Sequence, residues 1–394
     1  MSPERRAGQL VMVGLTPTDS LGDAEARVAR GEVGGIIYLG GWSGASAVKA
    51  AATGLQAAAR AGGIRLLVAA DQEGGQVQQL SGTGFTPIPP ATEQGSMTPA
   101  ALETEATGWA RALAAVGVNV NLAPVADTVP ASIGTANGPI GHWHREFGST
   151  PQVVGPHAAA FVKGMHAGGI AATVKHFPGL GRITGNTDTT SAGITDSTAT
   201  VDDPFLQSFA DGIAAGADLV MVSSARYPNI DPDNQAVFSH AVVTDLLRGR
   251  LGFSGVVVTD DVGAAVAVSA VPVPDRAIRF VAAGGDIVLT ARTGDVTPMV
   301  TALADRAAGD PQFAATVDAA LLRVLTLKTA RGLTTCSPDH GARPDHLLPP
   351  GTRSADHVPA PTTSAKRPGP HSPHRPDPRH GRSAGERPVE ETAS

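Results

Sequence analysis

Cysteine is almost missing from this sequence: Cys336 is the single one in 394 residues. A lone cysteine excludes an intramolecular disulfide framework and a cysteine-rich zinc site. Aromatic residues are scarce at 4%, and charged residues reach only 17%, with a formal net charge of −6. No basic stripe crosses the globular part, so nucleic acid and anionic membranes are not expected partners. No apolar run is long enough to span a bilayer. The opening MSPERRAGQLVMVGL sets two arginines before an apolar run. That run is too short for a signal-peptide core and has no small-residue cleavage site after it. It fits a first strand, and the chain as given is expected to be soluble and cytoplasmic.

What the sequence does hold is a large apolar fraction, 42%, and 47 glycines. These suit a sizeable core joined by many tight turns. Over residues 1–333 short apolar runs alternate with amphipathic or alanine-rich stretches. The runs are Gln9–Leu15, Gly34–Gly40, Leu66–Asp71, Val118–Asp127, Ile170–Pro178, Leu219–Ala225, Gly255–Asp261 and Asp286–Ala291. Near-continuous apolar strands of this kind are buried on both faces, as in a parallel sheet. Helices are expected between them. One runs from Ser46 to Ala61 with Val48, Ala51, Ala52, Leu55 and Ala59 on one face. Another starts at Pro151 and stops at Gly168-Gly169. Ser239 is expected to cap a helix ending at Gly252, and Asp275 one stopped by Gly284-Gly285. Eight such units point to a single (β/α)8 TIM-type barrel. An open doubly wound sheet is the rival, though no Gly-x-Gly-x-x-Gly follows the first strand. The tail, residues 334–394, carries twelve of the 31 prolines and half of the 12 histidines, with no apolar periodicity. It is expected to be disordered.

In a barrel, chemistry gathers where strands end. Here the third run ends in Asp71, the fourth passes through Asn121 to Asp127, the fifth ends in Lys175-His176, and the seventh in Asp260-Asp261. The fifth and seventh strands lie two places apart around a barrel, so their side chains can meet over the mouth. Carboxylates with a cation and no cysteine nucleophile suit glycosidic bond cleavage. One carboxylate attacks the anomeric carbon and one acid protonates the leaving oxygen. Asp260, fixed by the strand before it, is the nucleophile candidate, although Asp260 or Asp261 can equally cap the next helix. Asp71 can accept from sugar hydroxyls or simply form a turn. Lys175 and His176 can donate to the same sugar, and a lysine at the end of a buried strand needs a partner.

At these residues the chain resembles glycoside hydrolase family 3, and within it the β-N-acetylhexosaminidase branch. The resemblance covers roughly residues 4 to 330. It rests on GQLVMVG (Gly8–Gly14), DQEGG (Asp71–Gly75), NLAPVAD (Asn121–Asp127), KHFPGLG (Lys175–Gly181) and GVVVTDD (Gly255–Asp261). The resemblance implies a retaining exo-acting β-glycosidase that removes terminal sugars from peptidoglycan or chitin-type fragments. It implies no cofactor and no metal, Asp260 as nucleophile, and Asp71, Arg145, Lys175 and His176 as sugar-binding residues. A β-glucosidase or β-xylosidase of the same family, and a catalytically weak carbohydrate-binding barrel, are the alternatives. A metal-dependent hydrolase using His142, His144, Lys175, His176 and Asp260 is a third, though its histidine pair should close the first strand and here follows the fourth, in a loop.

Three departures from the branch stand out. The histidine of its Asp-Ser-His acid/base motif is replaced by Asp188, in Asn186-Thr187-Asp188, and Leu180 replaces the histidine of Pro-Gly-His-Gly. An aspartic acid can serve as general acid when burial or a neighbouring carboxylate raises its pKa, which makes Asp188 the acid/base candidate; its alternative is an Asx turn. Gln76 and Gln79 stand where the family often has arginines, with loss of charge and of the bidentate fork. Trp143, beside Arg145, can stack on a sugar or pack on the rim.

Overall fold

Each of the eight apolar runs contains a strand in the computed structural model, which describes residues 1–60 and 62–334. The strands are β1 (Val11–Leu15), β2 (Gly35–Tyr38), β3 (Leu67–Ala70), β4 (Val120–Asn121), β5 (Ala171–Phe177), β6 (Leu219–Val222), β7 (Val256–Thr259) and β8 (Val288–Thr290). They form one parallel sheet in the order β7-β6-β5-β4-β3-β2-β1-β8. The ends of that order meet through the bridge Val258↔Ile287, with Thr259 N–H donating to Ile287 O at 3.0 Å. The sheet is therefore a (β/α)8 barrel, not an open doubly wound sheet. Apart from Gly14, Gly35, Thr173 and the polar residues toward the carboxyl ends, the strand positions are buried apolar side chains, and helices such as Pro99–Ala115, Pro151–Ala167 and Leu206–Ala214 pack against one another outside.

The boundaries differ from expectation in instructive ways. Residues before β1 form the helix Pro3–Gly8, with Ser2 accepting from Arg5 N–H. The fourth strand is short. Regular pairing ends at Asn121, and Pro124 has no N–H to give, yet Ala126 N–H still donates to Lys175 O at 2.7 Å. The helix expected over 46–61 spans Ala45–Arg60 and buries the five face residues named above. Pro151 opens its helix, and Gly168 closes it. Ser239 Oγ accepts from Val242 N–H at 3.2 Å, as a cap should, but the helix it starts, Ala241–Arg250, is wound as a π-helix. Asp275 is not a cap. It sits in the first turn of Val273–Ala282, where its charge still suits the helix dipole. Ala61, Cys336 and residues 335–394 lie outside the described residues; Thr334 bridges Ile64. Among the described residues, no helix is long and apolar enough to cross a membrane.

Candidate active site

The carboxyl ends of the strands surround a cavity of about 400 Å³. Asp71, Arg145, Lys175, His176, Asp188 and Asp260 all line it. These are the six site residues named from the sequence: Asp71, Lys175, His176 and Asp260 at strand ends, and Arg145 and Asp188 in the loops that follow the fourth and fifth strands. Ile37, Leu122, Met221 and Leu289 supply apolar wall.

Local backbone explains how each side chain is aimed. After β3 the chain turns through Asp71-Gln72-Glu73-Gly74-Gly75. Gly74 has φ +113°, and a Cβ there would lie 2.3 Å from Pro89 O, so only glycine makes this turn. Between Val174 and Phe177 the pairing of β5 with β6 takes up one extra residue, from Val220↔Val174 to Val222↔Phe177. A bulge of that kind re-aims side chains, and here Lys175 and its neighbour His176 both face the cavity. Asp260 follows β7, its N–H donating to Val222 O at 3.0 Å.

Lys175 is 2% exposed. Its Nζ lies 2.5 Å from Asp71 Oδ1 and 2.5 Å from Glu73 Oε1. Burial works against its charge, but Asp71 and Glu73 raise its pKa above the ordinary lysine value. Glu73 also takes a two-point grip on Arg145, from Nε at 2.8 Å and from a terminal nitrogen at 2.7 Å. Burial opposes ionisation of Glu73, yet Arg145 and Lys175 hold its carboxyl well below the usual range.

His176 Nδ1 donates to Asp127 Oδ2 at 2.7 Å. Its Nε2 faces the Arg145 guanidinium at 3.4 Å. Guanidinium cannot accept, so in the neutral ring the hydrogen sits on Nδ1 and Nε2 accepts. Asp127, fully buried, also accepts from Leu180 N–H at 2.7 Å and so ties the fourth strand end to the loop after β5.

The paired aspartates after β7 divide their labour. Asp261 accepts from Gly263, Ala264 and Ala291 N–H groups at 2.8–3.0 Å, so it forms the turn. The Asp260 carboxylate accepts only from the N–H of Asp261, at 2.9 Å. Among the described residues that leaves one of its oxygens without a protein donor.

Asp188 is exposed as a residue, yet it lines the cavity together with Asp260. The Asx turn of this loop is made by Asn186, whose Oδ1 accepts from Asp188 N–H at 2.9 Å. The Asp188 carboxyl is therefore left for the cavity. Burial among protein atoms, reinforced by the charge of Asp260, pushes it up to about 6. The loop is held in place from three sides. Val266 and Ala267 N–H donate to Asp188 O and Thr187 O at 3.1 and 3.0 Å. The Asn137 amide donates to Leu180 O and Ile183 O, and Arg182 pairs with Asp203 at 2.6 Å.

Gln76 lines the cavity, whereas Gln79 does not; its Oε1 accepts from Gly41 N–H at 3.2 Å and stitches two loops. Trp143 lines the rim and is 37% exposed. Glu73 and Asp127 were quoted within motifs without a role. For Asp127 a signal was present, an acidic residue at the end of an otherwise apolar run; Glu73, in a polar turn, gave none.

The family model described as the glycosyl hydrolase family 3 N terminal domain matches residues 3–327. A beta-hexosaminidase of Stenotrophomonas maltophilia (strain R551-3) is 40% identical over 245 residues, which is 60% of this chain and 70% of that protein. The crystal structure of a β-N-acetylhexosaminidase from Beutenbergia cavernae DSM 12333 is 49% identical, with a TM-score of 0.80, covering 84% of this chain and 99% of that one. A family 3 β-N-acetylglucosaminidase from Paenibacillus sp. str. FPU-7 is 29% identical with a TM-score of 0.75, covering 89% of this chain and 66% of that one. The match runs through the whole barrel and every strand end that feeds the cavity, and on that extent the chain belongs to glycosyl hydrolase family 3.

Proposed function

We propose that this protein is a retaining, exo-acting β-N-acetylhexosaminidase that releases terminal N-acetylglucosamine from peptidoglycan or chitin-type fragments. Asp260 attacks the anomeric carbon while protonated Asp188 gives its proton to the leaving oxygen. A glycosyl–enzyme ester forms on Asp260, and the negative charge that opposed ionisation of Asp188 is thereby removed. Asp188, having given up its proton, stays ionised and serves as base for the incoming water. Asp71 accepts from sugar hydroxyls, Lys175 and Arg145 donate, and His176 Nε2 faces the cavity beside Arg145. Trp143 offers an apolar face at the rim.

The observation that carries this reading is the unlike surroundings of two carboxyls that line one cavity. Asp260 has an oxygen without a donor, and Asp188 is raised to about 6. Unlike environments for two acids are the usual basis of an acid–nucleophile pair. The β-hexosaminidase relatives support the choice of sugar. Nitrophenyl β-glycosides of N-acetylglucosamine, glucose and xylose test it: turnover is expected with the N-acetylglucosaminide, and Asp260→Asn should lose about 10³-fold or more. Turnover of glucoside or xyloside alone would move the specificity. Sugar binding that is equal in Asp260→Asn and wild type, with no turnover by either, would make the barrel a binding module.

A further inference from the structure

The two cations of the cavity are both tied to a carboxylate that stands behind its wall. Glu73 lies in the turn after Asp71 and is 5% exposed. Its grip can be followed hydrogen by hydrogen. Arg145 has five N–H bonds. Nε and one terminal hydrogen go to Glu73, one goes to Pro139 O at 2.8 Å, and one faces His176 Nε2. Among the described residues one N–H is left. Lys175 has three N–H bonds, and Asp71 and Glu73 take two of them. Each cation therefore keeps a single hydrogen for a ligand.

We propose that Glu73 is the positioning residue of this site: it clamps Arg145 and Lys175 so that each presents one N–H to the sugar, and it holds the Arg145 charge back from Asp188. The inference rests on the reading of Asp188 as the acid. Four charged or titratable groups act on the Asp188 carboxyl. Asp260 and Asp261 oppose its ionisation; Arg145 and His176 favour it. Without Glu73, two hydrogens of Arg145 are released and the guanidinium is free to turn toward the carboxylates. The ionised form of Asp188 then gains, and its acid form is lost at lower pH.

The test compares wild type, Glu73→Gln and Glu73→Asp in two ways. The first is the pH profile of kcat/KM on a β-1,4-linked N-acetylglucosamine disaccharide, whose leaving hydroxyl needs a proton. The second is NMR titration of the Asp188 carboxyl, which needs no turnover. For Glu73→Gln, the alkaline limb and the titration should both move down by about one unit, with KM raised about tenfold. Glu73→Asp keeps the charge but is one methylene short, so the limb should stay in place while KM rises. A Gln variant that loses activity equally at every pH, with the Asp188 titration unmoved, would overturn the proposal and leave Glu73 a structural residue. If the Gln variant does not fold, the Asp variant decides: an unchanged KM overturns the proposal. If wild type shows no turnover while the titration still shifts, the hexosaminidase reading fails and the positioning role stands.

Discussion

Asp286 at the foot of β8 and Asp260 at the head of β7 are the same residue type in the same barrel, yet they are surrounded differently. Asp286 is fully buried and accepts from Arg248, Arg323 and the N–H of Val257 at 2.7–2.8 Å. Asp218, at the foot of β6, accepts from His166, Arg331 and the N–H of Ala172. Burial works against its ionisation, but the bonds from His166 and Arg331 hold its pKa below the usual range. Through Arg323 and Arg331, these two feet fasten the end of the helix Pro311–Ala330 beneath the barrel. At the head, Asp260 accepts one backbone N–H, and no hydrogen bond to the Asp188 carboxyl is found among the described residues. A carboxylate whose oxygens are all engaged holds structure together and has little left for a ligand. One with an open oxygen beside a cavity is free to react. Partner number, and not residue type, separates the two ends.

The comparison breaks most visibly at Asp188. Asp188→Asn should lower kcat/KM about 10²- to 10⁴-fold on a disaccharide, and much less on nitrophenyl glycosides, whose leaving group departs without a proton. Urea unfolding at neutral pH should show no loss of stability and a modest gain, since a carboxyl whose folded pKa is raised costs the fold once it is ionised. The folded pKa is raised, so the acid form persists to higher pH than in a free aspartate. Activity on the disaccharide should therefore hold below about pH 6 and fall as pH rises through it. A variant that keeps activity but loses stability would place Asp188 with the structural acids.

Asp286→Asn is the converse. Its removal leaves Arg248 and Arg323 without their anion, and breaking a buried pair in this way costs about 3–5 kcal/mol. Turnover per folded molecule should not change, since the foot of β8 is at the opposite end from the cavity. Unchanged unfolding with reduced turnover would mean that the two ends are coupled through the strands.

The strand heads were legible in sequence because polar residues at the end of an apolar run are anomalous, and the barrel rule says which end matters. Asp260, Lys175 and Asp71 were visible on that ground alone. Arg145 and Asp188 lie in loops with no such pattern and were reached only through resemblance. Which of Asp260 and Asp261 keeps an open oxygen could not be read from a Thr-Asp-Asp triplet. It depends on three backbone N–H groups that engage Asp261, one of them from Ala291 across the β7–β8 seam. The pairing of His176 with Asp127 was hidden for the same reason, since the two lie 49 positions apart in sequence. The early end of β4 and the π winding of Ala241–Arg250 likewise depend on tertiary bonds that periodicity does not record.

The barrel foot holds one more ionisable group, and it lacks the counter-charge given to Asp218 and Asp286. Lys328 is fully buried in the helix Pro311–Ala330, and its Nζ donates to Gln9 Oε1 at 2.7 Å and Gly34 O at 2.8 Å. Both acceptors are neutral. A neutral amine has two hydrogens, and both are already placed. Burial pushes the pKa from 10.5 down to about 7. The unfolded chain keeps this proton up to its ordinary value, while the folded protein releases it near 7. Between those two pH values the unfolded state binds more protons, so the lysine makes stability rise with pH there. Below about 7 its destabilising effect is fully present, and above about 10.5 it is gone. Lys328→Met removes the titration. The stability difference between the two proteins should drift by a few kcal/mol from pH 7 to pH 10, with the variant gaining most at the acid end. A difference that stays flat across that range would mean the ammonium keeps its proton in the folded barrel, and that neutral carbonyls alone suffice to hold a buried charge at this end.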